Sequence, residues 1–449
     1  MAPQLEHERL FGSLPPTRLF FRCALPSMVS MAVTSLYTIA DGIFVGRFIG
    51  AEALAAVNLV MPLIMISFAL ADMVAVGSSV QIAIRLGERD EHEANRIFSF
   101  ACGLIFAISV AAGAIGFFFA GDLMRLLGAE GAVLRYAVDY MRVYALFSPA
   151  IMIFFAVDNF LRICGKVRYS MIMNIVISLA NIALDALFIV GFRKGVAAAA
   201  LASCLCLAAG TAIGFWPFLR GRLPLRFTRS SLKPRAVFNI VANGSSEFFS
   251  NIASSVCMVL FNAVLMAQGG YLAVAAFSVI MYIDSVVKSI LFGMSDALQP
   301  AISYNYGARD TRRVFALERR VQLAGFLVSI AVLAWMLTGA QSILPYFMES
   351  GNTALLELSR RALHLFALSY LVSWCGIVSG SFFTALGRPL SSLLLSFSQT
   401  LLLPGLSLLL LPRLWGLDGV WLSPLAAGLL AALLSAVLLR RIVRRLRQE

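Results

Sequence analysis

The sequence predicts an all-α polytopic membrane protein, with twelve transmembrane helices arranged as two six-helix lobes. The chain is 60% hydrophobic and only 13% charged. Apolar runs of about 20 residues, the length that spans a bilayer as a helix, recur from one end to the other. A stretch of the first half also repeats in the second half. Because the runs are continuous rather than alternating in polarity, they exclude a β-barrel.

The apolar runs define the spans in chain order, separated by polar or basic connectors. We predict helices at 19–46, 52–84, 97–120, 134–161, 169–192, 195–219, 236–267, 271–304, 320–346, 359–386, 390–411 and 416–439. The connector "RGRLPLRFTRSSLKPR" (220–235) carries six basic residues and no acid. Basic residues concentrate in alternate loops, which places both termini in the cytoplasm. This distribution accounts for the net charge of +13 without a nucleic-acid partner.

An internal repeat organises the chain. Residues 54–90 align without gaps to 274–310, and the connector residues Gly87, Arg89 and Asp90 fall on Gly307, Arg309 and Asp310. We therefore divide the chain into an N-lobe (1–219, helices 1–6), a basic cytoplasmic linker (220–235) and a C-lobe (236–449, helices 7–12) with a basic tail. Since six helices bring each half back to the same side, the lobes should be related by a pseudo-two-fold axis along the membrane normal. A cavity between two such halves is typical of a transporter.

Ionisable residues inside the spans are functional candidates, because each must be paired, hydrated or protonated in lipid. They are Asp41, Asp72, Asp158, Asp185, Glu247, Asp284, Lys288 and Asp296. Asn181 and Asp185 are four apart on one helix face, and Asp41 and Ser203 can join them. Such a set suits a small hard cation, or a proton shared between two carboxylates. The alternative is a static hydrogen-bond network between helices.

The second half offers a different polar set. Asp284 and Lys288 are four apart, so they either neutralise each other or leave Lys288 to repel cations and pair with Glu247. Asp158 is expected to form a structural pair with Arg162. Pro26, within helix 1, produces either a fixed kink or a moving hinge.

The motifs that would indicate an enzyme are absent from the sequence. There is no GxxxxGK[ST] nucleotide loop, and the three histidines form no metal-binding pattern. The seven cysteines are scattered through apolar segments, so we expect packing roles for them. We therefore expect no enzymatic activity, no cofactor and no resident metal.

The segment "LPSMVSMAVTSLYTIADGIFVGRFIGAEALAAVNLVMP" (25–62) resembles the opening of multidrug and toxic compound extrusion (MATE) transporters. Its shared features are a proline in helix 1, Asp-x-x-Phe-Val-Gly near the end of that helix and a Gly-x-x-Ala-Leu-Ala-Ala start to helix 2. The resemblance covers essentially the whole chain. In helix 7, "SSEFFSNIASSVCMVLFN" (245–262) looks most like the bacterial MepA-like branch.

The resemblance implies a secondary antiporter that exports organic, often cationic, compounds in exchange for H⁺ or Na⁺ by alternating access. It implies a cation-coupling site at Asp41, Asn181, Asp185 and Ser203, and a helix 1 that bends at Pro26. In the C-lobe, the acid that the NorM-like branch carries in helix 7 is replaced by Ser254 or its neighbours. Helix 11 also lacks an Asn/Asp pair, so a C-lobe Na⁺ site is not expected.

Several expectations complete this interpretation. Glu247, Asp284 and Lys288 are assigned to the substrate cavity or to C-lobe polar contacts. The expected partners are small organic substrates and the lipid bilayer, and the expected state is a monomer in the plasma membrane of a prokaryote. The alternative function is a lipid-linked oligosaccharide flippase of the same superfamily. A flippase would need several basic groups for a diphosphate, whereas Lys288 is the one clear intramembrane cation of the sequence.

Overall fold

The computed structural model describes residues 7–192, 195–221, 223–229, 232–339 and 353–446, which form helices joined by short connections. The first six long helices are α1 (Pro16–Phe44, continued by a π-helical stretch Val45–Ile49), α2 (Ala51–Gly87), α3 (Glu91–Phe118), α4 (Gly131–Ile163), α5 (Val167–Asp185, continued by a π-helical stretch Ala186–Gly191) and α6 (Val196–Leu219). Two short helices lie beside them, Glu8–Ser13 before α1 and Ala120–Leu126 after α3.

The second six helices include two long stretches that are each broken once. Gly270 (φ 63°) and Gly416 (φ 55°) adopt the left-handed conformation that glycine tolerates best, and each ends one helix and begins the next. The helices are α7 (234–269), α8 (271–307), α9 (Thr311–Thr338), α10 (353–385, bent by 41° near residue 372), α11 (389–414) and α12 (417–446). Within the described ranges the chain therefore has twelve long apolar helices, and the predicted fold class is confirmed.

Two helices begin earlier than the apolar runs predict. The carboxylates of Asp90 and Asp310 each accept a hydrogen bond from the backbone N–H three residues later, at 3.0 Å, and cap α3 and α9. As a result α3 begins at Glu91 rather than 97, and α9 begins at Thr311 rather than 320. The apolar runs underestimate both helices because their first turns are charged. Part of the predicted span 320–346 lies outside the described residues.

The repeat found in the sequence is also a repeat in three dimensions. Arg89 (φ 63°) and Arg309 (φ 61°) are the two non-glycine residues with positive φ in the described chain, and they are equivalent positions. Each closes its helix in the same way: the amides of Asp90 and Asp310 donate to carbonyls five residues earlier at 2.9 Å. This is a Schellman-type helix end. The two halves thus share their local backbone geometry as well as their sequence pattern.

Equivalent glycines bring the two halves into direct backbone contact. A Cβ added at Gly87 would overlap the Tyr304 carbonyl oxygen, and one at Gly307 would overlap the Ile84 carbonyl oxygen. Residues 84 and 304 are themselves equivalent, so this pair of contacts obeys the pseudo-two-fold relation. Further along the same helices, Gly244 of α7 meets the Met73 carbonyl of α2 in the same manner. Helices this close leave no space for a side chain between them.

The N-terminal residues cover the end of the bundle where these glycines meet. Arg313 donates through its guanidinium to the carbonyl oxygens of Phe11 and Leu14, each at 2.8 Å, and Asn305 donates to Phe11 at 3.1 Å. We call this end the closed face, comprising residues 7–14, 87–90 and 307–310. It joins α8 and α9 of the second half to the chain that leads into α1.

Two described residues of the basic linker bond to the N-terminal part of α3, which begins at this end of the molecule. The backbone amides of Arg226 and Thr228 donate to the side-chain oxygens of Asn95 (2.7 Å) and Ser99 (2.8 Å) on α3. The division into 1–219, 220–235 and 236–449 stays a prediction. All seven cysteines are free, and six of them are buried, in agreement with packing roles.

Candidate functional site

Four polar side chains from three helices of the first half meet within the bundle. We call this set, Asp41, Asn181, Asp185 and Ser203, the N-lobe cluster. With its amide oriented to satisfy both neighbours, Asn181 donates to Asp185 Oδ2 at 3.0 Å and accepts from Ser203 Oγ at 2.8 Å. The carboxyl groups of Asp41 and Asp185 lie close enough to interact with each other. Asp185 is 0% exposed, whereas Asp41 is half-buried. The structure thus brings together the four residues that the sequence analysis grouped.

This arrangement has a simple chemical requirement. Two ionised carboxylates have only acceptors, so Asp41 and Asp185 can share a hydrogen bond only when one of them carries a proton. The Oδ1 atoms of both residues are buried and have no hydrogen-bond partner. The cluster can therefore exchange between a state that shares a proton and an ionised state that attracts a cation. Among the described residues, no group of three or more His, Cys, Asp or Glu side chains forms a metal-binding set.

Two tyrosines lie close enough to interact electrostatically with the acids of this cluster. Tyr37 precedes Asp41 by one helical turn, and Tyr140 comes from α4. Neither tyrosine was predicted from the sequence to belong to the site. The spacing of four residues between Tyr37 and Asp41 is a signal that could have identified the first, since it puts both on one helix face. Nothing in the local sequence indicates Tyr140, because its approach depends on how α4 packs.

Helix irregularities adjoin both acids. The regular part of α5 ends at Asp185, where the π-helical stretch 186–191 begins. In α1, the amide of Val45 bonds to the carbonyls of both Asp41 and Gly42, and the stretch 45–49 is π-helical. Such widened turns occur frequently at functional sites. A third one, Ser398–Leu402, lies in α11 of the second half.

Pro26 lies in the first half of α1, and proline there leaves a helix carbonyl without its usual partner. Just beyond it, α1 rests directly on α8. The site of a Cβ at Gly293 is 3.0 Å from the Ser27 carbonyl oxygen, and Ser35 Oγ donates to Ser289 Oγ at 2.7 Å. The helix that carries Asp41 therefore contacts the other half of the molecule between the proline and the acid.

In the second half, Lys288 pairs with Asp284. Lys288 Nζ lies 2.6 Å from Asp284 Oδ2, and the Tyr370 hydroxyl donates to Asp284 Oδ1 at 2.7 Å. Mutual neutralisation, one of the two alternatives given by the sequence, is thus what this structure shows. In this structure Lys288 pairs with Asp284 and not with Glu247.

Glu247 lies instead beside Asp72 and Asp296, within electrostatic range of both. The reason is the close crossing of α7 and α2. Because Gly244 touches Met73, the next turn of α7 carries Glu247 past Asp72. Asp296 accepts hydrogen bonds from Gln299 (2.8 Å) and Ser381 (3.0 Å). We call Asp72, Glu247 and Asp296 the seam acids. Their assembly was not predicted, because it depends on a contact between the halves.

The predicted pair Asp158–Arg162 is confirmed, with Arg162 Nη2 at 2.6 Å from Asp158 Oδ2. Ser170 and Asn174 of α5 donate to the other carboxylate oxygen at 2.5 and 2.8 Å. This network is buried and fully bonded, so it ties α4 to α5. Arg162 also lies within electrostatic range of Asp72 and Asp296, and its positive charge offsets part of the charge of the seam acids.

Comparison with known families and proteins gives one consistent result. The MatE family model matches residues 26–187 and 248–407, which together are more than half of the chain. The multidrug export protein MepA of Staphylococcus haemolyticus is 26% identical over 416 residues, covering 92% of this chain and 90% of that protein.

Solved structures agree over nearly the full length. A MATE crystal structure in complex with MaL6 is similar at a TM-score of 0.93, with 26% identity and 99% of each chain covered. A MOP superfamily transporter from Pyrococcus furiosus is similar at a TM-score of 0.92, with 26% identity and 98% of each chain covered. The latter is described as having a binding pocket of reverse polarity that suggests a different function.

Proposed function

Because this chain belongs to the MatE family and is a multi-pass membrane transporter of the MepA-like kind, we propose that it is an antiporter that exports organic compounds. The observation that carries this proposal is the close approach of the Asp41 and Asp185 carboxyl groups within a helix bundle, beside Asn181 and Ser203. Carboxylates within a membrane are costly and mark ion pathways. An acid pair that can hold or release a proton supplies the coupling step.

The geometry favours H⁺ over Na⁺ as the coupling ion. The carboxyl groups of Asp41 and Asp185 lie close enough to interact, and Asn181 and Ser203 are already bonded to each other. A bound Na⁺ would have to draw in several more oxygens, whereas one proton can be shared by two neighbouring carboxyl groups. The pair then alternates between one shared proton and none.

Coupling requires that proton and substrate favour different states of the carrier. Protonation from outside halves the negative charge of the pair and changes the bonding of α1 to α5. Pro26 then acts as the hinge at which α1 bends, and this bend releases the substrate. Reorientation of the lobes exposes the pair to the inside, where the proton leaves. In this scheme Asp41 and Asp185 are coupling residues, and Asn181 and Ser203 position them.

We propose that the closed face is cytoplasmic, with both termini on that side and the other face open to the outside. Arg89 and Arg309 belong to this face, and Arg313 donates to the carbonyl oxygens of Phe11 and Leu14 within it, which agrees with the positive-inside rule. We propose a monomer in the plasma membrane of a prokaryote, with two lobes, residues 1–219 and 236–449, that move as units. The relatives described above are multidrug export proteins and MATE transporters, which favours this function over a lipid-linked oligosaccharide flippase.

Transport by the purified full-length protein in liposomes tests the proposal. A fluorescent organic cation is followed under an imposed pH gradient, under an imposed Na⁺ gradient, and with neither. We expect the pH gradient to drive transport and Asp41→Asn to abolish that dependence. Asp139→Asn, at a position outside the N-lobe cluster, serves as the matched control. Transport driven only by Na⁺ would contradict proton coupling, and transport that ignores both gradients would contradict antiport.

A further inference from the structure

The second half contains a cavity of about 250 Å³ among α7, α8, α10, α11 and α12. We call it the C-lobe cavity. Its lining includes four phenylalanines and two methionines: Phe261 and Phe277 stack at 5.2 Å between ring centroids, and Met258 and Met281 also line the cavity. Flat rings stack well on such a wall, and methionines adapt to ligands of different shape. The cavity is therefore suited to an aromatic ligand of one or two rings.

The charge that a ligand can reach in this cavity is positive. The side chain of Lys288 is 49% exposed, whereas that of Asp284 is only 6% exposed. Among the described residues that line the cavity, Lys288 and Asp284 are the only Lys, Arg, Asp or Glu side chains. A ligand that enters meets the ammonium group and is kept from the carboxylate behind it.

The bonding of the pair has the same consequence. Both carboxylate oxygens of Asp284 are occupied, one by Lys288 and the other by the Tyr370 hydroxyl. A ligand cation would have to break one of these contacts. The Lys288 ammonium has three N–H donors, and the bond to Asp284 uses one. The remaining donors are available for an anionic group in the cavity.

A neutral polar group completes the lining. Gln399 lies in the π-helical stretch of α11 and lines the C-lobe cavity together with Lys288. Its amide oxygen occupies the place that a Cβ would take at residue 376, so Gly376 is needed for Gln399 to enter. A carboxamide and an ammonium group on one apolar cavity provide two donors of the kind that bind a carboxylate.

We propose that the C-lobe cavity is a binding site for aromatic organic anions, with Lys288 as the counter-ion of the ligand carboxylate. The inference rests on the proposed function, because it names a substrate class for the exporter. It gives the two lobes opposite polarity: an acid pair in the N-lobe and an accessible cation in the C-lobe. Anions and zwitterions then belong among the exported compounds, beside cations.

Binding of three matched probes to the full-length protein in nanodiscs provides the test. The probes are 2-naphthoate, its neutral isostere 2-naphthamide and the cation 2-naphthylmethylamine, each titrated by calorimetry. We expect 2-naphthoate to bind about tenfold more tightly than the amide, the range of a charge-assisted hydrogen bond. Equal affinity for these two, or tighter binding of the amine, would overturn the proposal.

Two variants keep the test independent of folding defects. Lys288→Gln alone leaves Asp284 buried without its partner, so we combine it with Asp284→Asn, which replaces the ion pair by a neutral pair of similar shape. In this double variant we expect the preference for naphthoate over naphthamide to fall below about twofold, since the charge contribution is gone. Asp284→Asn alone frees Lys288 from its counter-ion and should tighten naphthoate binding. A preference retained by the double variant would contradict the assignment to Lys288.

The N-lobe variant Asp41→Asn separates this proposal from the proposed antiport. It removes coupling in liposomes but should leave 2-naphthoate affinity within about twofold of the wild-type value, because Asp41 is in the other lobe. If Asp41→Asn still couples to the pH gradient while the wild-type protein binds naphthoate selectively, antiport by the N-lobe pair fails and the anion site stands. If instead Asp41→Asn loses coupling to the pH gradient and the wild-type protein shows no preference for naphthoate, antiport stands and the anion site fails.

Discussion

Asn181 joins the buried Asp185 to Ser203, and single substitutions can measure what each of these contacts contributes. A neutral hydrogen bond is worth about 0.5–1.5 kcal/mol, which is about twofold to tenfold in an equilibrium. We expect Ser203→Ala, which removes one partner of Asn181, to lower pH-driven uptake about threefold. Asn181→Ala leaves Asp185 without its donor and should lower uptake about tenfold or more.

The measurement is the initial rate in liposomes, with the amount of folded protein checked in each case. Ser178→Ala, also on α5 but outside the N-lobe cluster, is the control. The assigned order of importance would be wrong if Ser203→Ala were more damaging than Asn181→Ala.

Gly376 and Gly380 lie one turn apart on α10 and offer a matched pair of substitutions. A methyl group at 376 collides with the Gln399 amide, whereas one at 380 meets only Ser396 Oγ at the ordinary distance of 3.5 Å. We expect Gly376→Ala to push Gln399 out of the C-lobe cavity and weaken 2-naphthoate binding about threefold or more, the loss of one hydrogen bond.

Gly380→Ala should bind as the wild type does, and alanine in a helix interior should hold or raise its melting temperature. Identical binding by both variants would show that Gln399 takes no part in the site.

Residue-level prediction from the sequence was successful where the relevant residues share a helix. The spacing of Asn181 and Asp185 predicts a common face, and the structure has them in contact. The seam acids were missed, since Asp72, Glu247 and Asp296 come from three helices of two lobes. Only the crossing of α2 with α7 brings them together, and no local pattern reports that crossing.

At the scale of the element, the N-terminal residues carry a pH-sensitive contact. His7 is 2% exposed, its Nδ1 has no hydrogen-bond partner, and its ring lies edge-on to Tyr304 at 6.0 Å. Burial lowers the pKa of His7 below the usual value of 6.5, and the carboxylates of Glu8 and Glu91 offset part of that effect. Near pH 6.5, the docked imidazole of His7 is therefore neutral, whereas a free imidazole already takes up a proton.

The sign of the pH dependence follows from this pKa. Docking of residues 7–14 is strongest above pH 6.5 and weakens as the pH falls from 6.5 toward the lowered pKa. With one proton involved, the protection of these amides against hydrogen exchange, corrected for the intrinsic rate, should fall by at most about tenfold per pH unit. His7→Phe keeps the ring and should remove the dependence. A pH profile that is the same in wild type and variant would exclude His7 as its source.

Helix positions were predictable because twenty-residue apolar runs have few alternatives in a membrane. The ends of α3 and α9 were not, since charged first turns look like loops until the capping contacts of Asp90 and Asp310 are seen. The π-helical stretches after Asp41 and Asp185 leave no mark in composition. They arise from backbone hydrogen bonding, which depends on what packs around each helix.

At the scale of the whole molecule, the contact between α1 and α8 tests whether the lobes must move. Ser35 Oγ and Ser289 Oγ are 2.7 Å apart across the two halves, close enough for a disulfide after Ser→Cys changes. In a background without the native cysteines, we expect oxidation of the Ser35→Cys, Ser289→Cys variant to stop export, and a reductant to restore it.

A second pair provides the control. Ser379 and Ser435 are 2.6 Å apart between α10 and α12, both within the C-lobe. Cross-linking this pair should leave most of the export activity. If each lobe moves as a unit, α10 and α12 do not move relative to each other during transport. Full export by the cross-linked 35–289 variant would rule out rearrangement of α1 against α8.

The glycine crossings of α2 with α7 and α8 also have an electrical consequence. Where α2 lies backbone to backbone against α7 and α8, at Gly77, Gly87, Gly244 and Gly307, no hydrated ion fits between the helices. We therefore expect part of the membrane voltage to fall across these contacts, at about 2.3 kcal/mol per unit charge for each 100 mV. The glycines therefore keep ions from passing between the helices, in addition to allowing the helices to pack closely. A side chain there would first be noticed as a leak current that discharges the gradient on which export depends.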